Sequence, residues 1–522
     1  MSFLQCLTGF NKPWEQTRKD SGSKTSQIEL IKAHVLNRLA DAAAPFVQVM
    51  VDSGTGLKEF ESATFGMLLQ VGLQLLKRFI RMQGDGDRGE TIRDPALAPA
   101  GAPSGERLLY RSQTRITRSI RSIFGSADFS VYVYHIRNDP NSAIAFRPFD
   151  ATLQITPERY SPLLQEYSML FCCEQSFRGA AESFEKVFGQ QLSIDTLEKV
   201  SRRMGHAAAE FMHQKPAPPA DEEGQFLVLT ADGKGVPLVK PEALRLAAFE
   251  EKAVRPGNRR MATVCSVYSV DAFHRTAADV VAGLFRDPTD TQSSPTCRPA
   301  PQHKRLTAFF PATLPDLPDE MTRGATIAMS WAAHEIELRR KPNQILIRLM
   351  DGQHSLWSEA DAAISDHDGL TVDILDIVHV AGYVAQAAKQ LCCPAQRMKF
   401  IRERMQRILD GDVASVIRGC RRMSALKKLQ GDRKASVEAA CGYFEAHSHR
   451  MRYHEYLAAG YPIATGLIEG ACRHLVKDRL ECSGMRWTIK GAQAMLNLRS
   501  VKASGFWDEF QRSYHGVRAI PT

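Results

Sequence analysis

Three carboxylates stand where chemistry is possible. Asp232 follows the apolar run of FLVLTADGKG (226–235), Asp351 follows ILIRLM (345–350) in LMDGQHSLW, and Glu469 lies among small and apolar residues in TGLIEGACRHLV. The first two are strand-end aspartates, and open α/β sheets hold their ligands at strand ends. Carboxylates brought together repel, and Mg²⁺ or Mn²⁺, which prefer hard oxygen donors, offset that repulsion. Two such ions about 4 Å apart can activate an attacking oxygen and stabilise a leaving oxygen in phosphodiester displacement. Each acid also has a plain structural alternative. Asp-Gly makes a turn after a strand, and Glu469 precedes Arg473 by four residues, the spacing of a helix ion pair. In DIVH, Asp376 and His379 are three apart at a strand-to-helix junction and can meet across the first turn. His379 then orients a phosphate, braces an acid or is a satisfied structural histidine; it is not assigned as a metal ligand.

These side chains need a sheet to bring them together. FLVLTADGKGVPLV, RMATVCSVYSVDAF (260–273), ILIRLM and LTVDILDIVHV (370–380) run apolar or alternate over strand lengths, and TIAMSWAAHEIELRR (326–340) has helical periodicity. Strands followed by helices predict an α/β domain over 221–391 that resumes at 457–510. The almost wholly helical stretch 392–456 interrupts it as a basic insertion, and a loop is expected over 286–320, which holds seven prolines. Upstream, residues 1–110 form a helical N-terminal region and linker. Residues 111–220 form a small strand-plus-helix module whose helices meet at Gly189. The expected packed face uses Ala181, Phe184 and Phe188 on the first helix and Leu197 and Val200 on the second. That spacing is also the spacing of a helix-turn-helix, in which the second helix enters a major groove.

The chain has 522 residues, 44% hydrophobic and 24% charged, which excludes wholesale disorder, and its formal net charge is +9. The charge is concentrated: eleven Lys and Arg between 399 and 434, among them Arg402, Arg421, Arg422, Lys427 and Lys428, face four acids. Such a cluster suits a polyanion, because each neutralised phosphate releases counterions. A second basic stretch follows Glu469, in which Arg473 or Lys477 could neutralise charge on a reacting phosphate. Beyond them Arg486 and Trp487 could position a strand and stack a base, the alternative being a core tryptophan. The eleven cysteines form no CxxC and lie mostly in apolar settings, as reduced buried thiols do, with a zinc site from distant members left open. The apolar run FGMLLQVGLQLL is short for a membrane span and the first twenty residues lack a signal-peptide core, so a cytoplasmic, nucleoid-associated protein without membrane contact is expected. No GxxxxGK[ST] phosphate loop is present.

Over about 225–505 the segments LTADGKGVPLV, LMDGQHSLW, DILDIVHVAGYV and YPIATGLIEGACRHLVKDRLECSGMRW resemble the Kra-type family of bacterial insertion-sequence transposases, which is related to mutator-like elements. The resemblance implies a ribonuclease-H-like mixed sheet with flanking helices and a helical insertion. It makes Asp232, Asp351 and Glu469 the first, second and third acids of an acidic triad, with two Mg²⁺ (or Mn²⁺) ions per site. Asp376 and His379 match a motif that follows the second acid in mutator-like relatives. It further implies cleavage at element ends and joining of the freed 3′-hydroxyl to target DNA. The partners implied are double-stranded DNA, in the terminal inverted repeats and the target, and further copies of the chain in a homo-oligomer on paired ends. The paired-cysteine zinc motif that some such enzymes carry upstream is missing here.

Overall fold

The computed structural model describes residues 24–93, 108–136, 143–153, 155–156, 158–249, 257–285, 298–314, 317–365, 369–482 and 484–516. The chain divides into two compact units, Met1–Ile155 and Thr156–Thr522. In the first, helices α1 (Lys24–Asp52) and α2 (Leu57–Met82) precede strands β1 (Thr91–Arg93), β2 (Leu108–Arg111), β3 (Ile116–Ser122), β4 (Gly125–Val131), β5 (Tyr134–His135) and β6 (Ile144–Phe146), then α3 (Pro148–Leu153). β3 and β4 form a hairpin, and the others form a four-stranded sheet in the order β1-β2-β5-β6. The core gathers Ile80, Ile120, Val131 and Phe149.

The second unit opens with α4 (Pro162–Glu174), α5 (Phe177–Phe188) and α6 (Ile194–Gln214). Gly189 ends α5 in the left-handed conformation at φ 68°, as a C-terminal cap requires. Phe184, Leu197 and Val200 are buried as the periodicity predicts, while on α5 Ala180 takes the core position expected of Ala181. β7 (Phe226–Pro237) is followed by α7 (Lys240–Phe249), β8 (Arg259–Val270), α8 (Ala277–Leu284), β9 (Gln302–Phe309), β10 (Ala312–Leu314), β11 (Leu317–Thr322) and α9 (Gly324–Arg339). Then come β12 (Ile345–Met350), α10 (His354–Ala363), β13 (Thr371–Leu375) and α11 (Ile377–Leu391). Four helices, α12 (Pro394–Leu409), α13 (Val413–Leu426), α14 (Gly431–His447) and α15 (Tyr453–Ala459), lead to α16 (Gly466–Ala471), α17 (Ile489–Ala503) and α18 (Trp507–Tyr514).

Five strands form one mixed sheet in the order β13-β12-β7-β8-β9. β7, β8 and β9 are antiparallel, whereas β12 runs parallel to both β7 and β13. Strands paired on both sides and covered on both faces read as continuous apolar runs, which is the pattern of FLVLT and ILIRLM. α9 and α10 cover one face through Met329, Trp331, Leu356 and Trp357. α11 and the helices after it cover the other.

Three expectations need correction. The supposed loop over 286–320 contains β9, an edge strand, because Pro301 and Pro311 bracket the run QHKRLTAF instead of interrupting its ladder. The insertion is not a separate body, since Phe400, Met405, Ile408, Val416, Phe444 and Tyr453 share one core with Ile347, Leu349 and Ile374 of the sheet. Nor does position 220 separate compact units. α6 lies so close to α17 that a Cβ at Gly205 would stand 2.5 Å from the Ala494 carbonyl oxygen, and Lys215 bonds Glu509 on α18 at 2.7 Å. A buried network ties the Pro-rich segment before β7 to the sheet. Arg305 of β9 bonds both oxygens of Glu335 at 2.9 Å and the Lys215 carbonyl at 3.1 Å, and Arg339 bonds Glu223 at 2.7 Å.

Candidate functional site

Asp232 does not end its strand, as the Asp-Gly break predicts, but lies midway along β7, opposite Val264 of β8, because the ladder to β8 continues through Gly233 to Pro237. Its Oδ1 accepts from the Gly233 amide at 2.6 Å, and its Oδ2 accepts from the Cys472 thiol at 3.4 Å. Asp351 is the first residue past β12, on the strand parallel to β7, so the sheet itself brings the two aspartates to neighbouring strands. Its Oδ1 accepts from the Gln353 amide at 2.9 Å, and its carbonyl accepts from Trp357 Nε1 at 2.6 Å. The Asp-Gly turn is therefore real, and it also delivers the carboxylate. Burial, reinforced by the Asp232 charge, raises the Asp351 carboxyl above its usual range against the opposing pull of the Gln353 amide and His379.

Asp376 follows β13 and caps α11. It is fully buried, and both oxygens are engaged: Oδ1 accepts from Val378 N at 3.3 Å and Thr465 N at 2.9 Å, Oδ2 from His379 N at 3.2 Å and His379 Nδ1 at 2.7 Å. The bond from Thr465 ties the strand end that carries Asp376 to the start of α16, the helix that carries Glu469. Glu469 is itself solvent-exposed, and it shares with His379, Tyr383 and Gln386 a groove of about 240 Å³. Partial desolvation of the carboxyl in that groove, with the Asp376 and Asp232 charges, raises its pKa, while His379 lowers it. The hydrogen bond to Asp376 is the largest cause of a rise in the His379 pKa to about 9; partial burial opposes it, and the Asp351 and Asp232 charges add to it.

Asp232, Asp351, His379 and Glu469 thus lie in one electrostatic neighbourhood, although 237 residues separate the outer two (469 − 232). Asp376, His379 and Glu469 each offer one ligand atom within 4.8 Å of the others. The three acids Asp232, Asp351 and Glu469 do not form so tight a set among the described residues. Asp376 has no lone pair to spare once its four donors are counted. Its geometry is that of a positioning residue, which fixes the His379 ring through Nδ1 beside the groove that Glu469 also lines. Aside from Asp376, the oxygens at hand are hard donors whose repulsion the His379 imidazolium offsets in part, and this is an environment that fits a divalent cation.

Among the basic residues, several expectations change. Arg473 does not pair with Glu469; it is exposed and approaches Asp478 at 3.8 Å, because the backbone from Cys472 to Lys477 widens into a π-helical turn and shifts the register of α16's continuation. Trp487 is buried, donates to the Leu480 carbonyl at 3.1 Å and packs on Phe177 and Arg479, so it is a core side chain and not a platform for a base. Arg421 is paired with Glu438 and Glu445. Arg402 is exposed and donates to the Phe285 carbonyl. Arg422, Lys427, Lys428, Lys477 and Arg486 are exposed. The exposed face of α6 carries its own ion pairs, Lys199 with Asp195 and Arg202 with Glu198, and no surplus of cations.

The structure adds two residues that sequence reasoning missed. Cys472 stands one turn after Glu469 and touches Asp232, a link foreshadowed only by the spacing E-x-x-C. Tyr443 of α14 presses on the turn after Asp351, where a Cβ at Gly352 would come within 2.3 Å of its ring, and Tyr443 stacks on Tyr383 at 3.9 Å. The insertion therefore buttresses the second aspartate directly. The described cysteines form no disulfide, and none of them joins a metal-binding group; Cys6 and Cys297 lie outside the described residues. No described helix is long and apolar enough to cross a membrane.

No protein-family model matches the chain. A stretch of 121 residues is 28% identical to the "UPF0236 protein in vanSb 3'region" of Streptococcus gallolyticus, covering 23% of this chain and 25% of that protein. The match spans only a quarter of that relative's length and carries no family membership or activity across to this chain.

Proposed function

We propose that the chain is a metal-dependent DNA strand transferase of the acidic-triad transposase class, cutting at the ends of an insertion sequence and joining the 3′-hydroxyl to target DNA. The observation that carries this reading is the convergence of Asp232, Asp351 and Glu469 on His379, from segments more than a hundred residues apart. A mixed sheet with helices on both faces and a helical stretch between β13 and α16 supports the ribonuclease-H-like architecture that such chemistry uses. The exposed Arg422, Lys427 and Lys428 support a DNA partner.

Asp232, Asp351 and Glu469 would hold Mg²⁺ or Mn²⁺, which would supply activation of the attacking oxygen and stabilisation of the leaving one. Asp376 holds the His379 ring in one orientation, beside Glu469 in the groove where a scissile phosphate would lie. As an imidazolium it can donate to a phosphate oxygen. Lys477 and Arg473, exposed beyond α16, would meet the backbone of the bound strand. Tyr443 and Trp357 keep the Asp351 turn from shifting.

The test is an assay with candidate element ends and Mg²⁺. Wild type should cleave and join. Asp351→Asn should bind the same DNA with unchanged affinity and lose both steps by about 10³-fold or more. Joining of a pre-cut end by Asp351→Asn would sink the shared site, and cleavage without joining by wild type would leave a nuclease of the same architecture.

A further inference from the structure

A second cavity, of about 630 Å³, lies at the other end of β7 and β8, bounded by the close of β8, the start of β9 and the back of α16. Tyr268, which lines it, is four residues along β8 from Val264, the partner of Asp232. At about 3.3 Å per residue this is roughly 13 Å from the acidic site. Helix α16 separates the two: Leu467 and Gly470 face the cavity, and Glu469 between them faces the His379 groove.

The cavity's chemistry is divided. Its floor is apolar and partly aromatic, with Tyr268, Phe273 and Leu467 beside prolines 299, 301 and 462. Its polar side is cationic, with Arg275, Arg298 and Lys304. Among the described residues the one carboxylate lining it, Asp271, is already engaged, accepting from the Gln225 amide at 3.1 Å and from Gln302 Nε2 at 3.2 Å. His474 at the rim is held by Asp478 at 2.9 Å. Arg275 packs on the Phe273 ring and donates one bond to the Tyr461 carbonyl, yet its Nε is buried without a partner. Among the described residues, neither Arg298 nor Lys304 has an ion pair. Burial and the nearby Arg298 charge lower the Arg275 pKa to about 10, against the opposing pull of the Asp279 carboxylate. A buried donor without an acceptor is costly, and an anion accepting from Arg275 Nε beside the Arg298 and Lys304 cations would satisfy it.

We propose that this cavity binds a nucleoside phosphate, with the base on the Tyr268–Phe273–proline floor and the phosphate between Arg275, Arg298 and Lys304. Three cations match a phosphate dianion better than a single carboxylate, and guanidinium forks fit phosphate oxygens. The volume falls in the range of about 300–1,000 Å³ usual for small-molecule sites and exceeds what inorganic phosphate alone would fill. The nucleoside phosphate is either a free nucleotide or the terminal nucleotide of a DNA strand. This inference does not rest on the strand-transfer reading.

The full chain is titrated calorimetrically in EDTA, which silences any metal-dependent binding at the acids, with dAMP, dTMP, inorganic phosphate and a 5′-phosphorylated single-stranded tetranucleotide. Nucleotide binding should be saturable, at least tenfold tighter than that of inorganic phosphate, and weakened about tenfold or more in Arg275→Gln and in Arg298→Glu. Arg298 is exposed, so its variant folds, and equal melting temperatures check this. Saturable binding of dAMP or dTMP assigns a free nucleotide, and binding of the tetranucleotide alone, with the same sensitivity to both variants, assigns a strand end. Absence of binding at millimolar concentration, indifference to both variants, or phosphate binding as tightly as nucleotide would each overturn the proposal.

Discussion

At the residue scale, His379 is the best indicator of what the acidic site needs. Its pKa is raised from the usual 6.5 to about 9, chiefly by the bond to Asp376. A raised value means that the stabilisation is complete below about pH 6.5 and is lost as pH rises through about 9. The side chain is 38% exposed, so solvent screening reduces the contribution to about 1–2 kcal/mol. In EDTA, the stability difference between wild type and His379→Gln, read from urea midpoints, should therefore be largest near pH 6 and should shrink by that amount towards pH 10. A difference that stays flat with pH would mean that the ring carries no charge there. Trp487 makes the opposite point. It fills core volume, so Trp487→Ala should cost about 3–5 kcal/mol of stability, with DNA affinity falling only as the protein unfolds, whereas Arg486→Ala should leave the melting temperature unchanged.

At the scale of elements, the arrangement depends on supports from outside the sheet. α9 is fixed to β9 and to the Pro-rich segment by Glu335, which lies between Arg305 and Arg339. Glu335→Ala leaves two buried guanidiniums short of a partner and should destabilise the second unit by about 3–5 kcal/mol, measurable by denaturant unfolding. The Asp351 turn leans on α14. Gly352→Ala should drive a methyl into the Tyr443 ring and cost about 1–3 kcal/mol, and Tyr443→Leu in the same chain should relieve part of that cost. If the double variant is no more stable than Gly352→Ala alone, the clash is not what matters.

For the whole molecule, charge decides how DNA would be held. The insertion has lost Arg421 to its own glutamates, but Arg422, Lys427 and Lys428 stand in solvent around the end of α13. If all three contact phosphates, replacing them with glutamine should reduce the slope of log affinity against log salt by about 3 units, without altering Mg²⁺-dependent cleavage of saturating substrate. An unchanged slope would move the DNA path elsewhere, with Lys477 and Arg486 the next candidates. The exposed face of α6 is self-neutralised, which argues against its lying in a groove as a recognition helix.

Apolar runs and their breaks were enough, in the sequence alone, to place β7, β8, β12 and β13 and to single out Asp351 and the Asp376–His379 pair, because strand cores and the residues that end them are local patterns; Asp232 was singled out by the same break although its strand runs on past it to Pro237. Bracketing prolines concealed β9, and the amphipathic helices of the insertion gave no sign that their apolar faces join the sheet's core. Only the tertiary structure decided which partner each charged group takes. Asp376 spends every lone pair on positioning, Arg473 turns to Asp478, Trp487 goes inside, and Arg275 is left with an unmet donor in a cavity. Spacing along a chain sets what can meet across one helical turn. Contacts between segments hundreds of residues apart are set by how whole elements pack, and that is fixed only when the core closes.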